Sequence, residues 1–96
     1  MDNRKVFFDM KNSLFGSTVW NVVIPYLFHN LDKTAFINEA DIIIMDDIDK
    51  LFECHGRYLA KRFGFITDDP PTIELPSNIV IIQIGAVTAG LMKLFG

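Results

Sequence analysis

Between Glu74 and Lys93 the chain carries no charged side chain, and within that interval Ile79 to Met92 reads IVIIQIGAVTAGLM. Such a segment has to leave water, either for a bilayer, for the core of its own domain, or for a neighbouring subunit. As a helix, Ile79–Phe95 extends about 25 Å at about 1.5 Å per residue, slightly short of a roughly 30 Å hydrocarbon core, with Lys93 placed to snorkel at one end. Gly85 with Ala89, and Ala86 with Gly90, repeat small residues at a spacing that lets helices approach closely in lipid. The strand reading rests on Ile79–Ile84, β-branched nearly throughout and bounded by Asn78 and Gly85. Thr72–Leu75 could then pair with it, and Ala86–Leu94 would form a short helix packed on the helix that precedes it in sequence.

Composition sharpens the question of where the apolar surface goes. Half of the 96 residues are hydrophobic, nine are phenylalanine, and the mean hydropathy is +0.27. A chain of this length forms one domain, or one small domain plus an anchor, and buries only about two-thirds of its unfolded surface. Membrane contact or permanent subunit contact would cover the excess. The net charge of −3 and the lack of any Lys/Arg run argue against nucleic acid as a partner. A single cysteine, Cys54, excludes an internal disulfide. The N-terminal MDNRKVFFDMKNS has acids on both sides of its basic pair, unlike a secretory signal.

Along the chain, residues 2–11 suggest a short amphipathic helix capped by Asp2 or Asn3. Asn12 to Leu31 carries no formal charge, but polar residues and Pro25 dilute it, and Val19–Leu31 reads as a core or interface segment. Asp32-Lys33-Thr34 marks a turn. Asn38 to Phe63 is expected to be one long amphipathic helix. Ile44, Ile48, Leu51, Phe52, His55, Tyr58, Leu59 and Phe63 follow helical spacing, acids precede bases, and Gly64 supplies the stop. Asp46–Lys50, Asp47–Lys50 and Glu53–Arg57 sit at helical pair spacing. The prolines at 70, 71 and 76 make 67–78 a stiff, non-helical connection.

The expected fold class is therefore mainly α: a helical body over 1–66 with the amphipathic helix at about 38–63, a proline-containing linker over 67–78, and an apolar C-terminal helix over 79–96 that could anchor in a membrane. The alternative is a small α+β domain with 79–84 as a buried strand.

The chemical motifs are sparse. His29 and His55 have no second histidine at helical ligand spacing, and Glu53-Cys54-His55 does not converge because helical neighbours point about 100° apart. Counting from Asp46, an EF-hand would need glycine at Leu51 and glutamate at Arg57. Gly85 and Gly90 lie in apolar sequence without a basic partner, so no phosphate loop is read there. These patterns predict no catalytic residue, metal, cofactor or small-molecule substrate.

The expected function is that of a non-enzymatic structural or assembly protein, membrane-associated through its C-terminal segment. The alternative is a soluble structural or adaptor subunit of a larger oligomer, such as a virion or multi-subunit particle, with the tail buried at a subunit interface. Partners would be protein subunits, self or other, and a lipid bilayer. The expected interface residues are Ile48, Leu51, Phe52, Tyr58 and Leu59 on the long helix, with Gly85, Ala86, Ala89 and Gly90 on the tail.

Overall fold

The computed structural model describes residues 5–11 and 36–95. The segment expected at Val19–Leu31, the turn at Asp32–Thr34 and His29 lie outside the described residues. Four strands form one parallel sheet: β1 (Val6–Asp9), β2 (Ile42–Met45), β3 (Arg62–Thr67) and β4 (Ile79–Gln83), side by side in chain order. Register runs Val6 beside Ile42, Ile42 beside Arg62, and Phe63 beside Ile79. Helix α1 (Ile48–Arg57) links β2 to β3, and α2 (Val87–Phe95) follows β4 through a single 3₁₀ turn, Ile84–Ala86.

The two helices take opposite faces of the sheet. Alternation along each strand sends Val6, Ile42, Ile44, Ile66 and Ile82 toward Val87, Leu91, Leu94 and Phe95 of α2. The intervening residues Ile43, Met45, Phe63, Phe65 and Ile79 meet Leu51 of α1, with Ile48, Cys54 and Tyr58 packed alongside. Both faces of β2 are therefore covered, which is why Ile42 to Met45 is apolar without alternation and buried throughout. Full burial of such a side chain stabilises by about 1.5–3 kcal/mol.

The structure overturns the mainly α expectation. The proposed helix at 38–63 is a strand, a helix of ten residues and the start of another strand. Asp47, not Asn38, opens α1: its carboxylate accepts the N–H groups of Asp49 and Lys50 at 3.0 and 3.3 Å. Tyr58 closes the helix, donating its N–H to the Cys54 carbonyl at 2.9 Å. Gly64 lies inside β3 and stops no helix. A Cβ there would sit 2.8 Å from Ile82 Cδ1 and 2.9 Å from Leu94 Cδ2, so the glycine makes room for the layer above it. Residues 6–9, expected as part of a helix, are the edge strand β1.

The C-terminal segment is likewise not one apolar helix. Its first residues are β4, paired with β3, and α2 spans only Val87–Phe95. Among the described residues no helix is long and apolar enough to cross a membrane, which removes the transmembrane reading. The strand alternative named the right residues for β4 but the wrong neighbours. β4 pairs with β3 rather than Thr72–Leu75, and α2 packs on the sheet, across from α1. The connection from Asp68 to Asn78 carries no helix, as its three prolines require.

Candidate functional site

Parallel sheets of this kind place ligands outside the carboxyl ends of their strands. Here that edge gathers Asp9 from β1, Asp46 and Asp47 after β2, and Thr67, Asp68 and Asp69 at the end of β3. The fold already employs most of these groups. Asp46 accepts the Lys11 N–H at 2.6 Å, Asp47 caps α1, Lys50 pairs with Asp9 at 3.5 Å, and Asp69 donates its N–H to the Thr67 hydroxyl at 3.1 Å. The Lys50 ammonium thus reaches across to β1, while its backbone N–H is held by Asp47. The Glu53–Arg57 pair forms as its spacing suggests, at 3.2 Å. Among the described residues no group of three or more His, Cys, Asp or Glu could hold a metal ion.

At the opposite edge, Asn78 ties three elements together. Its Nδ2 donates to the Leu59 and Lys61 carbonyls at 3.2 and 2.9 Å, its Oδ1 lies 2.9 Å from His55 Nε2, and its backbone carbonyl accepts the Phe63 N–H. His55 is half-buried and meets the Phe63 ring edge-on, with centroids 5.5 Å apart. Its ring is thus held against the start of β4 and the Phe63 ring. The Cys54 thiol is pushed up from its ordinary range by burial, then by the Glu53 and Asp9 carboxylates, against the opposing pull of Arg57 and Lys50.

A raised thiol pKa means that the folded state holds this proton more tightly than the unfolded chain. The associated stability is present below the ordinary thiol pKa and is lost as pH rises through the folded value. Cys54 is therefore expected to alkylate more slowly with iodoacetamide at mildly alkaline pH in the native protein than in urea. Equal rates would contradict this placement.

The residues expected at an interface separate into two groups. Leu51 is fully buried, and Ile48 and Tyr58 pack beside it under α1; they hold the helix to the sheet. Gly90 faces β4, where a Cβ would lie 3.0 Å from Ile82 Cα. Phe52, Leu59, Gly85, Ala86 and Ala89 are exposed. Leu59, at 66% exposure, and Phe36, at 74%, lie on segments joined by the Tyr58 hydroxyl to Asn38 Oδ1 bond at 3.1 Å and by Lys61 bonds to the Asn38 and Ala40 carbonyls.

Sequence reasoning missed the outer edge of β4. Among the described residues β4 pairs on one side only, with β3. The continuous β-branched run from Ile79 to Ile82, with no charge on either side until Glu74 and Lys93, was the signal that could have found it. Comparison with family models, with curated proteins and with solved structures finds no match.

Proposed function

We propose that the chain is a non-catalytic assembly subunit that associates with a second copy of itself through the outer edge of β4. The observation that carries this reading is the difference between the two edges of the sheet. The β1 edge is bracketed by Lys5, Asp9 and Lys11, the charged flanks that keep strand edges from pairing with other chains. The β4 edge carries Ile79, Val80, Ile81, Ile82 and Gln83 with no charge nearer in sequence than Glu74 and Lys93. A second copy suits such an edge because two β4 strands related by a two-fold axis present the same uncharged backbone to each other without like-charge repulsion. Exposed Met92 on the adjoining α2, and Phe52 and Leu59 elsewhere, supply further apolar surface for larger assemblies.

The test is the solution mass of the full chain by light scattering or sedimentation. The expected result is a concentration-dependent dimer. Gln83→Lys, at an exposed position on the edge, should weaken that dimer about tenfold or more by placing a charge beside an apolar strand of the partner, with the circular dichroism unchanged. A monomer at every accessible concentration would overturn the reading. A dimer indifferent to Gln83→Lys would place the contact elsewhere and overturn the β4 assignment.

A further inference from the structure

An open cleft of about 400 Å³ lies at the amino-terminal edge of the sheet, lined by Arg62, Ser77, Asn78, Val80, Lys93 and Leu94. Its volume falls within the range of small-molecule sites. Three elements build it: Arg62 is the first residue of β3, Ser77 to Val80 lead into β4, and Lys93 and Leu94 belong to the last turn of α2. We propose that this cleft binds the phosphate group of a small phosphate monoester, held between Arg62 and Lys93.

Two full positive charges face this cleft, and neither has an acidic partner among the described residues, whereas Lys5, Lys50 and Arg57 are all paired with carboxylates. In a chain whose net charge is −3, this pair of cations is set apart from the surplus acids. Arg62 donates through Nη1 to the Leu94 carbonyl at 2.9 Å. That bond caps α2 and fixes the plane of the guanidinium, while the remaining N–H groups of its five-donor fork stay available. Complementing the negative end of α2 accounts for this one bond, but that end amounts to only about half an elementary charge. Lys93, in the last turn, complements the same helix end, so two full cations meet that half charge, and neither the Lys93 ammonium nor the Ser77 hydroxyl has a hydrogen-bond partner among the described residues.

The Asn78 side chain is fully engaged with Leu59, Lys61 and His55, so it forms a fixed wall and not a ligand group. Half-buried Val80 supplies apolar surface against which the organic part of a ligand can rest, while Leu94 contributes its Arg62-bound carbonyl to the wall. A doubly charged phosphate with several acceptor oxygens matches two cations and a hydroxyl better than a singly charged carboxylate does. The proposal does not rest on self-association: Arg62, Ser77 and Lys93, the groups that would hold the phosphate, all lie outside β4.

Titration of the full chain with phenyl phosphate, followed by backbone amide NMR, tests it. Saturable shifts are expected at Ser77, Asn78, Val80 and Lys93, weakening as salt is raised. Inorganic phosphate should shift the same resonances, and benzoate should bind more weakly. Lys93→Gln should weaken phenyl phosphate about fivefold, in keeping with the value of one exposed charge contact. Arg62→Gln should weaken it more. Because loss of the Arg62 bond to Leu94 could loosen α2, Ser77→Ala serves as a further variant and is expected to lower affinity with an unchanged melting temperature. Absence of saturable shifts, shifts elsewhere, or affinity untouched by Lys93→Gln and Ser77→Ala would overturn the assignment. So would tighter binding of benzoate.

Discussion

Replacing Gly90 by isoleucine is expected to destabilise the fold by roughly 3 kcal/mol or more, the upper end for forcing volume into a packed core. The glycine lies where α2 crosses β4, and a Cβ would stand 3.0 Å from Ile82 Cα, 3.1 Å from its Cγ2 and 3.2 Å from its Cβ. One of these atoms is backbone and another the first side-chain carbon, so neither can swing aside. The helix itself must lift, and with it Leu91 and Leu94, both fully buried. A domain of this length holds roughly 5–10 kcal/mol in total, so the loss is a large fraction. Thermal unfolding should show a fall in midpoint of roughly 12–24 °C. Gly90→Ala brings the same Cβ against Ile82 but none of the further volume of isoleucine, and about 1 kcal/mol of helix propensity offsets part of that contact, so it should cost less. A Gly90→Ile protein that melts with the wild type would mean that α2 does not lie against β4 as described.

Ile82→Ala probes the same contact from the other side and is expected to cost about 3–5 kcal/mol, in the upper part of the range for truncating a buried aliphatic side chain. Ile82 is completely buried, and it lies beside both Gly64 and Gly90. Those two neighbours have no side chains with which to refill the space, so the hole stays open and the cavity contribution is kept. Urea unfolding is the suitable measurement: the midpoint should fall while the slope stays constant, since the surface exposed on unfolding hardly changes. A loss below about 1 kcal/mol would be incompatible with a void bounded by two glycines.

These two residues also show what could be read from the sequence and what could not. Gly90 marks a close approach, but to a strand of the same chain and not to a helix in lipid, and the small-residue spacing it belongs to does not form a packing face. Of the residues sharing that spacing, only Gly90 turns inward; Gly85, Ala86 and Ala89 remain exposed. The β-branched run beginning at Ile79 was legible as a strand, and the prolines at 70, 71 and 76 as a helix-free connection. Its partner was not legible, because local pattern carries no information about which strand lies alongside.

The long helix expected over 38–63 arose from a coincidence of periods. Ile44 and Phe63 fall on the helical stripe of Ile48, Leu51 and His55, yet each belongs to a strand covered on both faces. Four apolar residues in succession, Ile42 to Met45, carried the contrary signal. Asp47 following that run is better explained as a cap than as part of a solvated helical face. The proposed phosphate cleft was illegible for a different reason: Arg62, Ser77 and Lys93 are scattered along the chain and converge only when β3, β4 and α2 meet.

The arrangement of α2 on a face of its own also bears on how the molecule is made. Val6, Ile42, Ile44 and Ile66 emerge during synthesis well before the only described helix that shelters them. Until residues 87–95 follow, a nascent chain displays an aliphatic surface suited to capture by chaperones or by other unfinished copies. Parallel pairing across distant sequence further delays closure. Interrupted translation between β4 and α2 should consequently yield a product far more prone to aggregate than the nine missing helical residues alone would imply.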